Sequence, residues 1–439
     1  MKIAILSRSA VSGGAAIAAR RLAEALRGEG RDAVVVSADA FPKLRHLPFL
    51  AERAQIFLAD GLSRHNLWKV DSGSFGLPLW QLPEVREANA LLLGWTNQGF
   101  LSLDGIRRLA GMGKKIVWTM HDMWPFTGIC HHSMECRRYE AVCGSCPYLH
   151  GQSPSNPEPP EINLKKDLST KVQRHKGRLY GDCNIKFVAV SNWLAGRARA
   201  SSLLKDQQVT VIPNPFSPQP LDTGLIHRLK DGHTGQSILF AAEWLDNWIK
   251  GLDTLRRATA AMARRRPDLA ATTRIVLAGG VKDRACLEGF ALPVDYVGKI
   301  TDEREMAHWF AACDVTANCS EFENLPTTLI EGQAYGAVPV AFDRGGQSDI
   351  VEHLSTGYLA GWHPDPERRA EAFAEGLAFA LDASRNSARP SGQGLPQDAG
   401  QPSATAAGDR DIKTKMRSSV EARFAYRIIA REYLNLLDA

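Results

Sequence analysis

The chain has 439 residues, 53 basic and 48 acidic side chains for a net charge of +5, and 44% hydrophobic and 23% charged residues. That length exceeds what one core serves and suits two α/β domains, and the composition excludes a fibrous or wholly disordered protein. The small, dispersed positive balance gives no case for a nucleic-acid partner but suits anionic ligands or a peripheral membrane contact.

The N-terminal apolar run, Ile3–Leu6, is four residues long and ends at Ser7-Arg8. A secretory signal needs a longer one, and no window holds 18 apolar residues in a row. The expected location is the cytosol, with a peripheral position at the inner membrane as an extension of it. In a reducing compartment the eight cysteines are expected as thiols or metal ligands.

In chain order, Lys2–Ser7 reads as a buried strand, Ser12-Gly13-Gly14 as a glycine loop, Ala15–Arg27 as a helix and Ala33–Ser37 as a second strand. Strands alternating with helices imply a parallel sheet. Further strands are expected at Ala90–Leu93, Ile116–Met120, Lys186–Val190 and Val209–Ile212, with helices at Leu103–Gly111 and Asn192–Ser201. After the prolines of 213–220 the alternation restarts. Strands are expected at Ser237–Ala242, Ile275–Ala278, Val294–Val297, Asp314–Ala317 and Val338–Phe342. Helices are expected at Leu252–Arg266, Glu303–Ala312, Pro326–Tyr335 and Gln347–Val351.

Two stretches fit neither state. Ser153–Pro160 is too rich in proline for helix or central strand, and 383–411 has the Ser, Gly, Pro and Gln content of a disordered linker. Beyond it, Met416, Val420, Phe424, Ile428 and Tyr433 recur at helical spacing with arginines between them. That helix either packs on the body or offers a basic face to a membrane. The chain thus divides into 1–214 with a cysteine-rich insertion at 127–160, 215–382, a linker at 383–411 and an amphipathic helix at 412–439.

The densest chemistry lies in Ser320–Gly332, which follows a strand and opens a helix. Pro326 fits the first helical position, where a missing amide hydrogen is no loss. The first-turn amides form a positive pole suited to a diphosphate. Glu323 lies ahead of the helix and Glu331 a turn and a half along it, so one carboxylate can bond a ribose and the other a sugar hydroxyl.

That run, followed by Ala334–Val340 and Asp343-Arg344-Gly345-Gly346, resembles the donor-site signature of family 4 glycosyltransferases. The resemblance implies the α/β GT-B fold, two Rossmann-like domains with parallel sheets facing a central cleft, with 1–214 on the acceptor side and 215–382 binding the nucleotide sugar. It places Glu331 on the nucleotide ribose, Glu323 by the donor sugar, and the amides of Asn324 and Leu325, ahead of Pro326, by the phosphates. Lys250-Gly251 resembles the family's lysine–glycine step, where the lysine neutralises charge on the departing pyrophosphate. The arginine usual about five residues upstream is replaced by Ala242-Glu243-Trp244-Leu245-Asp246, leaving Arg344 as a candidate substitute. In the first domain the resemblance brings the amides of the Gly13-Gly14 loop close to donor and acceptor, since glycine permits the approach. His121, at the end of the Trp118–Met120 strand, falls beside the donor sugar.

Cys130, Cys136, Cys143 and Cys146 follow the spacing C-x5-C-x6-C-x2-C, which can close a tetrahedral zinc site. A subgroup of family 4 enzymes of surface-polysaccharide synthesis carries a similar segment. Structural zinc and metal-free buried thiols are the two readings. The family retains anomeric configuration without an established side-chain nucleophile, so no general base is assigned. No Asp-x-Asp motif stands in a metal-binding setting, and no cofactor is expected to be required for catalysis. The implied activity is metal-independent hexosyl transfer from a nucleotide sugar to a saccharide or lipid-linked saccharide. The alternatives are a nucleotide-sugar epimerase of the same fold and a non-catalytic sugar-nucleotide-binding protein.

Overall fold

The computed structural model describes residues 1–11, 13–42, 45–151, 153–155, 166–387 and 411–438. They form two compact units, one of residues 1–215 with 424–439 and the other of 216–423. The expected 383–411 linker falls mostly outside the described residues, as do Ser12 and 156–160 of the insertion.

The first unit is built on six strands: β1 (Lys2–Leu6), β2 (Asp32–Val36), β3 (Ala90–Leu93), β4 (Lys115–Met120), β5 (Ile185–Ala189) and β6 (Val209–Val211). They pair in the order β2-β1-β3-β4-β5-β6, every pair parallel. Runs such as Ala90-Leu91-Leu92-Leu93, buried throughout, are what a parallel sheet covered on both faces requires. Helix Gly14–Gly28 lays Ala19, Leu22 and Leu26 on the sheet, in one core with Ile429, Tyr433 and Leu437 of the C-terminal helix Tyr426–Asp438. The Tyr433 hydroxyl lies 2.8 Å from Thr119 Oγ1 of β4.

The second unit repeats the plan with β7 (Gln236–Trp244), β8 (Thr273–Gly280), β9 (Val294–Gly298), β10 (Val315–Asn318), β11 (Val338–Phe342) and β12 (Tyr358–Ala360). Their order is β12-β11-β10-β7-β8-β9, again parallel throughout. Leu255, Ala258 and Met262 of helix Leu252–Arg265 share a core with Phe373, Leu377 and Ala380 of helix Pro366–Ser387.

Four expectations are corrected. Ala383–Ser387 continue the helix that begins at Pro366, so the chain is still ordered where a linker was expected. The terminal segment is two helices, Ile412–Phe424 and Tyr426–Asp438, not one. Their apolar residues Met416, Val420, Phe424 and Tyr433 are buried, which removes the apolar face a membrane contact there would need. Gln347–Val351 is a pair of hydrogen-bonded turns closed by Asp349 N on Gly346 O and Val351 N on Gln347 O. Pro326 stands one residue before its helix, in extended backbone (φ −71°, ψ 107°), and the helix runs Thr327–Tyr335.

In each sheet the chain leaves the first strand of the unit on one side and later returns on the other. That reversal lies between β1 and β3 in the first unit and between β7 and β10 in the second. Loops diverge at such a point beyond the carboxyl ends of the strands and leave room for a ligand. In the second unit the two loops are close-fitted. Gly251 holds φ +75°, and a Cβ on it would lie 2.2 Å from the Cys319 carbonyl oxygen. Gly251→Ala is therefore expected to lose about 1–3 kcal/mol of stability, read as a lowered midpoint in thermal or denaturant unfolding; an unchanged midpoint would contradict this fit.

Candidate functional site

In the second unit the loop after β7 ends in the turn Trp248–Lys250, capped by the Asn247 side chain. The amide of Glu321, in the loop after β10, donates to Ile249 O at 2.9 Å and fixes the two loops side by side. That places the Lys250 ammonium on Oε1 of Glu323 in an ion pair between half-buried side chains. The same oxygen accepts from the Ser320 hydroxyl at 3.0 Å. The Glu323 carbonyl accepts from Gly346 N at 3.0 Å. Gly345 is needed beside it: its φ is +102°, and a Cβ would stand 2.4 Å from that carbonyl.

Helix Thr327–Tyr335 starts directly behind Glu323 without a side-chain cap. Its first amides, at Thr327 and Thr328, have no intrahelical acceptor, and both residues are half-buried. Asn324 and Leu325 are buried, so each can offer a ligand little besides main chain. Glu331 is half-buried in the second turn. Arg344 donates from Nε to Glu321 O at 3.0 Å, and its guanidinium lies 3.5 Å from the Trp362 ring centroid. It braces the loop that carries Glu323. The second unit thus gathers Lys250, Glu323, Asn324, Leu325 and Pro326 at one strand edge.

In the first unit Gly13 and Gly14 follow β1 and His121 follows β4. Gly13 precedes its helix at φ +91°, and its carbonyl accepts from Ala16 N and Ile17 N. A Cβ built on Gly13 or Gly14 meets nothing within 4 Å, so the space above that helix start is open. At Gly94, after β3, a Cβ would lie 3.4 Å from Leu6 O and 3.7 Å from His121 Nε2. The ends of β1, β3 and β4 therefore meet around His121. Withdrawal from water pushes the His121 imidazole down to about 4, against the upward pull of Asp122, so the ring is neutral near pH 7.

Behind His121 lies a buried network that sequence reading did not find. His131 places Nδ1 at 2.7 Å from Asp122 Oδ2 and Nε2 at 2.7 Å from Asp71 Oδ2. Asp71 also pairs with Arg53, while Trp95 Nε1 donates to Asp122 at 2.7 Å and the Trp124 amide at 2.8 Å. Glu52 accepts from the amides of Ser72, Gly73 and Gly99. Burial alone would raise the Asp122 carboxyl; His131, with His132 and the Trp124 amide, outweighs it and holds the group at about 2. The signal available in sequence was Glu52-Arg53 inside an apolar run, since buried charges require partners.

Cys130, Cys136, Cys143 and Cys146 line one cavity together with Tyr139 and Tyr148. Burial raises their thiols, Cys143 to about 12 and Cys130 further. Among the described residues no three His, Cys, Asp or Glu side chains are placed to hold a metal ion. Lys176, fully buried beside them, donates to the carbonyls of Trp124, Thr127 and Gly128, and burial lowers it to about 7.

Residues 235–382 match the family model for glycosyl transferases group 1. That match holds Lys250, Glu323–Pro326 and Glu331; Gly13, Gly14, His121 and the four clustered cysteines lie outside it. Curated relatives include a D-inositol 3-phosphate glycosyltransferase of Thermobispora bispora, 30% identical over 29% of this chain and 32% of its own length. Another of that description, from Stackebrandtia nassauensis, is 28% identical over 36% of this chain and 39% of its own. The chain spans only about a third of the length of the curated relatives it matches. Among solved structures, Anabaena HepE in complex with UDP-glucose superposes at TM-score 0.59 with 16% identity, covering 100% of this chain and 99% of that one. Sucrose-phosphate synthase from Thermosynechococcus elongatus gives 0.58 with 16% identity over 99% and 97%. The fold is GT-B, with two Rossmann-like units.

The His121 environment has a consequence for stability. An unfolded histidine titrates near 6.5 and the folded one at about 4, so unfolding takes up a proton between those values and stability falls as pH drops through that window. Asp122 adds a second loss below its unfolded value near 4, as pH approaches about 2. His121→Gln is expected to flatten the fall in melting temperature between pH 6.5 and 4.5; a variant with the wild-type slope would contradict the assignment.

Proposed function

We propose that the chain is a retaining, metal-independent glycosyltransferase that moves a hexosyl group from a nucleotide sugar to a saccharide or lipid-linked saccharide acceptor in surface-polysaccharide synthesis. The observation that carries this reading is the Lys250–Glu323 pair at the β7/β10 reversal, ahead of an uncapped helix start and inside the group 1 match. The diphosphate would take the amide end of helix Thr327–Tyr335 and draw the Lys250 ammonium toward its oxygens. Glu323, released from the lysine, would then accept a bond from a sugar hydroxyl, and Glu331 one from the ribose.

As the bond to the nucleotide breaks, positive charge grows at the anomeric carbon and negative charge on the departing diphosphate. Lys250 and the helix amides stabilise the second. In the first unit His121, neutral at pH 7, can bond a sugar hydroxyl as an uncharged ring. HepE was solved with UDP-glucose, which makes UDP-sugars the first donors to try. The cysteine cavity enters as a structural element.

Sugar-nucleotide hydrolysis and transfer test the reading. Lys250→Ala and Glu323→Ala are each expected to lower turnover by about 10²–10³ while the fold is kept, and the matching UDP-sugar should raise the wild-type melting temperature. Turnover unchanged in both variants would overturn the residue roles. Cys143→Ser is expected to lower the melting temperature yet leave turnover per folded molecule within about twofold. Mass-spectrometric zinc content decides what fills the cavity: about one equivalent assigns it to a metal, under about a tenth to thiols alone.

A further inference from the structure

Helix His46–Ala59 inverts the usual contrast between its inward and outward faces. The inward one buries Ile56 with Glu52 and Arg53. The outward one carries Leu47, Leu50 and Leu58, which with the exposed Ala54 fall at spacings of three and four and so form a single stripe. Leu62 follows the end of the helix, and Trp68 is exposed on the flank beside the stripe. Trp68 is tied back to the helix by the Phe49 ring, 5.7 Å away, and by the Arg53 guanidinium over both rings. The four leucines and Trp68 are 58–69% exposed, and they are five of the twelve large exposed apolar side chains among the described residues. A surface helix of a globular protein normally turns its polar face outward, and an apolar patch of this kind marks an interaction site.

Leu62 adds a second observation. It holds φ +68°, a left-handed conformation that a branched residue adopts at a penalty, and the side chain so placed points away from the core. Leucine stands where glycine or asparagine would relieve the strain. Within residues 45–69 the exposed charge is one-sided. The exposed ionisable groups are His46, Arg64 and His65, with Arg45 and Lys69 half-buried. Both acidic residues of 45–69, Glu52 and Asp60, are buried and hydrogen-bonded inward. Arg45 pairs with the exposed carboxylate of Asp39.

Leucines on an outward stripe, with an exposed tryptophan and cations on the flank, are the composition of a surface that lies in the bilayer interface beside anionic headgroups. We propose that this face docks the protein on an anionic phospholipid surface, by insertion of Leu47, Leu50, Leu58 and Leu62 below the headgroups, with Trp68 and the cations on its flank. It goes beyond the proposed transfer reaction, and it places the contact on a different element from the C-terminal helix, whose apolar residues are buried.

The test is co-sedimentation of the full chain with vesicles of phosphatidylcholine alone and of phosphatidylcholine mixed with phosphatidylglycerol. Wild type is expected to bind the mixed vesicles, more weakly as salt rises. Leu50→Asp with Leu58→Asp is expected to lower the partition coefficient by at least about tenfold. Both side chains are exposed, so the double variant should keep the wild-type melting temperature and its stabilisation by donor. That readout separates this proposal from the donor-site reading. Absence of wild-type binding to the mixed vesicles would overturn the docking proposal, as would equal binding by the variant. A wild-type dimer that the variant dissolves, with no vesicle binding, would assign the face to a second copy instead.

Discussion

A lysine on one strand-end loop neutralises a glutamate on the next, and the rest of the candidate site depends on that contact. Lys250 and Glu323 are 73 residues apart in sequence and meet because β7 and β10 are hydrogen-bonded neighbours. Half-burial matters here. A fully exposed pair is screened and contributes little, whereas a fully buried one would resist exchange. Between those limits a pair can hold two loops in register and still yield to a stronger anion such as a diphosphate. Gly251 and Gly345 make the register possible, because each removes a Cβ that would collide with the carbonyl of the facing loop.

The same geometry recurs in the first unit with different chemistry. There the edge is made by the Gly13-Gly14 loop, Gly94 and His121. Charge is held behind that edge, where His131 bridges Asp122 and Asp71. That network fixes the backbone just after His121 while burial keeps the His121 ring neutral. One edge thus offers a cation and an exchangeable carboxylate, the other an open glycine loop and an uncharged hydrogen-bonding ring.

Much of the fold could be read from sequence because parallel strands buried on both faces appear as short apolar runs: Ala90–Leu93 and Val338–Phe342 fall where their residues suggest. Gln347–Val351 reads as helix from its composition, but five residues cannot recover the entropy of nucleation, and the turns closed by Gly346 and Gln347 prevail. Helix His46–Ala59 escaped notice because its exposed side is apolar and its buried side carries Glu52 and Arg53, which blurs the 3.6-residue contrast that marks a helix. Within the site, Lys250, Glu323 and the helix start were legible as a contiguous motif or by resemblance. The partners of His131 were not, since Asp71 and Asp122 lie 60 and 9 residues away and no local pattern connects them.

The most direct test of this account is a structure of the full chain with its nucleotide-sugar donor bound. The account predicts diphosphate oxygens within hydrogen-bonding distance of Lys250 Nζ and of the Thr327 and Thr328 amides, with the Glu323 carboxylate turned from the lysine to a sugar hydroxyl. A donor bound elsewhere, or one bound there with the Lys250–Glu323 pair still closed, would contradict it.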